Sequence, residues 1–367
     1  MVHIYTHPYR GNFGGGLQAY ALLQAIQQLG ANADIIENIS DCNYIADYNP
    51  SLRDRYRLLK WTIKLMLGKM SYLPSIFTHR KAHLFKKKFM QMAERSKVAP
   101  QDAFIVGSDQ VWRALYTRNL GGAAKYFLDF ATAEQRQRSF AYAASFGSDQ
   151  WEGTAEETDT CRQLIRDFKA LSVRESSGIQ LCAAVFGREA VQMPDPTFLL
   201  QASDYNKLIQ KSRTRVPKQK YIAAYVLDPN PDIRVALEQA AHVQNLYVQN
   251  LMPNIEAKSI RDRFPISIPQ WLRYIRDAEY VVTDSFHGCV FSIILNRPFV
   301  CVGNEARGTA RFNTLFETFG LQHHLVHTIS SKTLQKPATS GKDWENINAI
   351  LASERDRGLC FLRQNLN

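Results

Sequence analysis

The sequence predicts an α/β chain built from two doubly wound parallel units in series, and three observations carry that prediction. Short β-rich runs alternate with amphipathic stretches, the alternation stops near residues 195–205 and then restarts, and 367 residues with 45% apolar content exceed what one ordinary core accommodates. In the first unit "VHIYT", "ADIIEN", "AFIVGSD", "SFAYAAS", "ALSVRE" and "AVQMPD" read as strands. "LQAYALLQAIQQLG", closed by Gly30, and "TCRQLIRDFKA" read as helices between them. Pro194, Pro196 and the polar "QASD" break both periods. The second unit runs through "YIAAYVLD", a helix from about Ile233 to Val243, "NLYVQN", a helix through "PQWLRYIRDA", "EYVVTD", a helix from Phe286, and "PFVCVG". Residues 330–342 read as a loop, and a helix from Trp344 to about Leu362 closes the chain. The expected boundaries are 1–198 for an N-terminal Rossmann-like unit, 199–340 for a C-terminal one that carries the donor site, and 341–367 for the closing helix.

Charge is unevenly spread. The chain carries a net +11, and residues 53–97 hold 13 Lys and Arg against Asp54 and Glu94, so this segment accounts for the whole excess. Within it "YRLLKWTIKLMLGKM" and "HRKAHLFKKKFMQMAE" interleave cations with apolar residues at roughly helical spacing. A basic helical insertion of this kind suits an anionic membrane surface. The competing reading is a pair of solvated helices whose apolar sides pack on the body. No nucleic-acid motif accompanies the charge, so nucleic acid is not expected as a partner. The six cysteines, Cys42, Cys161, Cys182, Cys289, Cys301 and Cys360, have no metal-ligand spacing and several lie in apolar runs. They point to a reducing cytoplasm and to no metal. With neither a secretory pattern at the start nor an apolar window of membrane-spanning length, the expectation is a cytoplasmic protein, peripheral on the inner membrane face through 53–97.

Two stretches carry chemistry. "GNFGGGLQAY" fits a G-x-G-x-x-A pattern through Gly14, Gly16 and Ala19, with Glu37 downstream. "HPYRGNF" separates the strand from the first of these glycines, which displaces a pyrophosphate from the helix start, so a dinucleotide cofactor is not expected. What survives is a helix N-terminus that Gly14, Gly15 and Gly16 let a ligand approach, with Asn12 and Gln18 as polar contacts for an anion or an acceptor. A glycine turn that serves helix packing alone is the alternative. In "EYVVTDSFHGCVF" a strand ends at Thr283, Asp284 and Ser285 begin the next element, and His287 and Gly288 occupy its first turn, at the sheet edge where α/β ligand sites form. Asp284 and His287, three apart, share a face if both are helical and suit general acid–base work. Ser108 and Asp109 follow one strand, Arg174 follows another, and "ARGTARFNTLF" brings Arg307 and Arg311. Arginine forks of this kind suit a dianionic ligand.

In this order, "NFGGGLQAYAL", "GSDQVW", "SVRE", "DPTFLL", "TDSFHG", "NRPFV" and "ARFNTLFETFGL" resemble the polysaccharide pyruvyl transferase family over roughly residues 3–325. The resemblance implies a GT-B-like fold of two Rossmann-like domains facing a cleft. It implies transfer of the enolpyruvyl group of phosphoenolpyruvate onto a sugar or a lipid-linked oligosaccharide as a cyclic ketal, with phosphoenolpyruvate as donor substrate and no cofactor. Arg174 matches the family's donor-binding Arg, and His287 and Gly288 match the end of its R-L-H-G motif, where Ser285 replaces the Arg. On this reading His287 moves protons and Asp284 orients it. Arg174 and Arg311, with Arg307, hold the donor, and Ser285 hydrogen-bonds one of its oxygens. Ser108 and Asp109, with the glycine turn, contact the acceptor. A nucleotide-sugar glycosyltransferase and a non-catalytic binding protein of the same fold are the rivals.

Overall fold

The computed structural model describes residues 1–37, 52–212, 217–303, 310–337 and 340–366. Its first sheet has six parallel strands, β1 (Val2–Thr6), β2 (Ala33–Glu37), β3 (Ala103–Val106), β4 (Phe140–Ala144), β5 (Ala170–Val173) and β6 (Val191–Gln192), in the order β2-β1-β3-β4-β5-β6. The second has five, β7 (Tyr221–Tyr225), β8 (Tyr247–Asn250), β9 (Tyr280–Thr283), β10 (Phe299–Val302) and β11 (Leu325–Val326), in the order β11-β10-β9-β7-β8. Counted from its own first strand, each sheet begins 2-1-3-4-5, the flavodoxin-like doubly wound order. Each therefore has a switch point beside its first strand, where successive crossovers leave in opposite directions and open a crevice. For the first sheet that crevice lies between the ends of β1 and β3, and for the second between the ends of β7 and β9. Strands β4, β7, β9 and β10 are buried along their whole length, which is why they read as continuous apolar runs without alternation.

The two crevices face each other because the units share a core. Phe13 and Leu17 from the first helix, Phe13–Gln28, pack in one apolar cluster with Trp271, Ile275 and Phe286 of the second unit. Phe13 lies 5.5 Å from the Trp271 ring. The last helix, Gly341–Leu366, crosses back over the joint: Ile347 and Leu351 belong to that shared cluster, while Phe361 and Leu362 pack beneath the first sheet. Lys169 donates to the carbonyl of Asn365 near its end. This helix is longer at both ends than its apolar spacing alone predicts.

The basic segment forms two helices, Leu52–Met66 and Ser75–Phe89, which behave differently. The second buries Phe77, Ala82 and Phe85, and Phe85 packs edge-on against Tyr9 and Tyr20, so the body-packing expectation holds for it. The first buries Leu65 alone. No helix among the described residues is long and apolar enough to cross a membrane.

Three strands of the first sheet are tied by one buried imidazole. His3 on β1 holds Asp34 of β2 at 2.6 Å through Nδ1, and Asp102, just before β3, at 3.2 Å through Nε2. Burial alone lowers the pKa of His3, but the two carboxylates outweigh it and the net shift is upward. A raised folded pKa makes this contribution fully present below the unfolded value of about 6.5 and lost as pH rises through the folded value. The stability of the protein over its His3→Gln variant, measured by urea unfolding, is therefore expected to be largest near pH 6 and to shrink toward pH 9. A margin that grows with pH would contradict the assignment.

Candidate functional site

The site forms where the two crevices meet. From the first unit, Arg174 leaves the end of β5 and Asp195 follows β6, capping the short turn Pro196–Leu199. Asp195 Oδ1 accepts from the Thr197 amide at 3.0 Å and its hydroxyl at 2.7 Å. The other oxygen, Oδ2, accepts from Arg174 Nη1 at 2.7 Å and lies 3.6 Å from His287 Nε2 of the second unit. Arg174 also stands 3.7 Å from Asp109. All four are almost completely shielded from water, Arg174 at 3% and His287 at 6% exposure. Burial disfavours ionisation of Asp195 and Asp109. For Asp195 the nearby His287 imidazole and then Arg174 outweigh it, and for Asp109 Arg174 and then His287 do, so both carboxyls are held below the usual carboxylate range. Arg174, penalised by burial, is held protonated by Asp195 and Asp109. Arg174 Nε and Nη2 and His287 Nε2 make no hydrogen bond among the described residues. Buried polar atoms of this kind normally find partners, so these three stand out in the dry interior.

Phe286 organises the cations. The Arg174 guanidinium sits 4.8 Å from its ring centroid and that of Arg311, from the helix Ala310–Phe319, sits 5.5 Å away. Two guanidiniums on one phenyl ring tolerate each other through cation–π attraction and the surrounding carboxylates. Burial and then the charge of Arg174 push the pKa of Arg311 down to about 10, which leaves it protonated at neutral pH. The units are stitched beside it by Ser176, whose amide donates to Thr314 Oγ1 at 3.2 Å. On the core side of Phe286, toward Phe198 and Phe319, only about 20 Å³ is open, space for about one water.

That turn contacts the second unit. Gly14 lies against the ring of His287, and a Cβ there would overlap Nδ1. At Gly16 a Cβ would come within 3.0 Å of Ile268 and Tyr9. Gly15 faces Asp109, whose Oδ2 would lie 3.4 Å from a Cβ. Gly14 is therefore required by packing across the joint, a side chain at Gly16 would need its neighbours to give way, and the carboxylate of Asp109 already lies over the helix start. Asn12 is the N-cap by position and makes no side-chain cap bond. It borders a pocket of about 380 Å³ that is also lined by Tyr9, Phe13, Lys81 and Tyr225.

Several expected contacts belong to the frame instead. Gln18 is fully buried, donating to Thr6 Oγ1 and the Gly15 carbonyl and accepting from the Ser108 amide, all at 3.1 Å. The Ser108 hydroxyl donates to the Ala143 carbonyl at 2.8 Å. These bonds hold the β1 and β3 ends together and present Asp109, whose backbone is left-handed at φ 69°. Asp284 does not stand as the i, i+3 partner of His287. The helix begins at Phe286, so Asp284 precedes its N-cap, Ser285, and its carboxylate accepts from the Leu227 and Asp228 amides at 2.7 and 2.9 Å. It bridges the second crevice, and the carboxylate opposite His287 Nε2 is Asp195. Ser285 is buried, its amide donating to Thr283 Oγ1 at 3.0 Å. Gly288 packs on Thr283, where a Cβ would overlap the side chain. Arg307 lies outside the described residues. Asp195, Phe286 and Glu175 are the site residues that spacing alone did not single out. Glu175 Oε1 accepts from the amides of Phe146 and Gly147, at 2.6 and 3.1 Å. The only sequence signal for Asp195 was its place in "DPTFLL".

The contact of Gly14 with His287 yields a direct test. Gly14→Ala is expected to fold, to lose about 1–3 kcal/mol in urea unfolding through overpacking, and to shift the imidazole resonances of His287. Unchanged resonances would mean that the two units do not touch there.

No curated protein matches the chain. Among solved structures it is similar to Arabidopsis thaliana UGT89C1, with 8% identity, a TM-score of 0.49, and coverage of 100% of this chain and 99% of that one. It is similar to a Neisseria meningitidis UDP-GlcNAc 2-epimerase bound to UDP-GlcNAc, with 8% identity, a TM-score of 0.44, and coverage of 99% and 94%. A mutant O-GlcNAc transferase of Thermobaculum terrenum gives 10% identity and a TM-score of 0.43, and the chain, covered in full, spans 66% of that protein. The family model described as polysaccharide pyruvyl transferase matches residues 12–306, from Asn12 through the glycine turn, Arg174, Asp195 and His287, and the chain belongs to that family.

Proposed function

We propose that this protein transfers the enolpyruvyl group of phosphoenolpyruvate onto two hydroxyls of a sugar in a polysaccharide precursor, forming a cyclic ketal and releasing phosphate. The observation that carries the reading is the pair of buried guanidiniums, Arg174 and Arg311, both against the ring of Phe286 with His287 beside them. A small ligand bearing a carboxylate and a phosphate requires two fixed cations, and planar guanidiniums grip both groups bidentately. Membership of the pyruvyl transferase family supports the same donor class.

The chemistry assigns each group a task. His287 delivers a proton from Nε2 to the terminal methylene carbon, which becomes the methyl group. The developing cation at the central carbon is captured by the first sugar hydroxyl, whose proton passes to Asp109. The carbon–oxygen bond to phosphate then breaks, with the electron pair leaving on phosphate, and the Asp109 proton goes with it. The second hydroxyl closes the ring and its proton restores His287. Asp195 acts as a positioning residue, holding Arg174 and facing His287. The acceptor lies in the pocket beside Asn12, where Tyr9 and Tyr225 offer flat surfaces and Lys81 a charge.

Calorimetry tests the donor. Arg311→Ala is expected to weaken phosphoenolpyruvate binding by about 10- to 150-fold, the loss of a charge-assisted contact of about 1.5–3 kcal/mol, and Arg174→Ala by at least as much. His287→Gln is expected to retain binding but lower phosphate release, measured with a panel of sugar acceptors, by about 10²- to 10⁴-fold. If the unaltered protein binds a nucleotide sugar and not phosphoenolpyruvate, the reading fails in favour of glycosyl transfer.

A further inference from the structure

The helix Leu52–Met66 presents two apolar faces. Leu58, Trp61 and Leu65 turn toward the body, and Arg263 donates to the carbonyls of Leu65 and Met66 at 3.2 and 2.7 Å, fixing the helix end. The opposite face carries Leu52, Tyr56, Leu59, Ile63 and Met66, spaced alternately four and three residues apart so that they form one continuous stripe. They are 83, 68, 59, 49 and 46% exposed. Arg53, Arg57, Lys60 and Lys64 run along one flank of the stripe and Arg55 along the other, all exposed, while the helix's single acid, Asp54, is half-buried on the body side. A row of five large apolar side chains left in water and bordered by cations is not a fold requirement, since the neighbouring helix Ser75–Phe89 turns Phe77, Ala82 and Phe85 into the core and leaves Leu84 as its one large exposed hydrophobe.

We propose that this stripe docks the protein on an anionic lipid bilayer, with its apolar side chains entering the interface and its cations meeting the headgroups. The spacing would also suit a second copy of the same helix. Pairing two copies, however, brings five cations and one acid from each helix together, a like-charge contact that opposes association, whereas an anionic surface complements them. The docked face adjoins the cleft. Met66, at the end of the stripe, lines a pocket of about 550 Å³ that shares Lys81, Met252, Pro265 and Ile266 with the pocket of about 380 Å³ bordered by Gly11, Asn12 and Phe13. A glycan carried on a membrane lipid is thereby led from the bilayer to the start of the first helix. This acceptor class rests on the pyruvyl transfer reading, but the docking itself does not.

Flotation with vesicles of phosphatidylcholine, alone or mixed with phosphatidylglycerol, tests the proposal. The unaltered protein is expected to float only with the anionic vesicles and to be released as salt rises. The double variant L59E/I63E, altered only at exposed positions, is expected to bind them at least about 10-fold more weakly. R57Q/K60Q/K64Q is expected to bind roughly 100-fold more weakly, from about 1 kcal/mol per cation near the surface. Both variants should keep unaltered phosphoenolpyruvate affinity by calorimetry. Failure of the unaltered protein to float with anionic vesicles overturns the proposal, as does flotation of L59E/I63E at wild-type level. A dimer in sedimentation equilibrium that L59E/I63E abolishes, without vesicle binding, gives the stripe to a second copy and overturns it too. Flotation by a protein that does not bind phosphoenolpyruvate would uphold the docking and refute the proposed reaction instead.

Discussion

Asp195 is the carboxylate on which the site depends. Its Oδ2 accepts from Arg174 at 2.7 Å and faces His287 at 3.6 Å, so one buried oxygen spans the first unit and the second. Its Oδ1 is fixed by the amide and hydroxyl of Thr197, which leaves the carboxylate no rotational freedom. Removing one partner of a buried pair of this kind typically costs about 3–5 kcal/mol, because the other charge is stranded in the dry interior. The pair is therefore a condition for the site more than a source of net stability. It sets where a guanidinium and an imidazole stand relative to each other across the joint.

The joint itself is apolar, and its geometry follows from small residues. Gly14 admits the His287 ring and Gly16 admits the Ile268 side chain, so side chains of the second unit lie directly against the backbone of the first helix. Phe13 and Trp271 then close the contact from the side. The same glycines that let the helix start approach a ligand thus let the other unit approach it, and Asp109 occupies the space over Gly15. A ligand at this helix end therefore meets a carboxylate and an imidazole along with the helix dipole, an arrangement suited to proton transfer more than to simple anion storage.

Much of the architecture was legible in the sequence because buried parallel strands announce themselves as short apolar runs bounded by turn residues. The strands from "VHIYT" to "PFVCVG" lie where those runs place them, and the break at Pro194 and Pro196 falls between the sheets. Arg174, His287 and Arg311 were legible as chemistry-bearing types at strand ends and helix starts, and the structure brings them together around Phe286. Asp195 was not legible as their partner, since it lies 21 residues from Arg174 and 92 from His287 and only the topology joins them. Asp284 was misread for a related reason: an i, i+3 spacing implies a shared face only inside a helix, and this helix starts two residues later. In the basic segment periodicity identified two amphipathic helices but not which apolar face each turns inward. That depends on tertiary contacts such as Phe85 with Tyr9 and Arg263 with Leu65.

The distinction between the two carboxylates is the most direct test of this account. In the proposed pyruvyl transfer, turnover by Asp195→Asn is expected to fall at least about 100-fold, because Arg174 loses its anchor and His287 the carboxylate it faces. Asp284→Asn is expected to lower the melting temperature through the lost bonds to Leu227 and Asp228 while keeping turnover within about 10-fold below that transition. A folded Asp195→Asn protein with wild-type turnover, alongside an inactive but folded Asp284→Asn protein, would contradict the central claim.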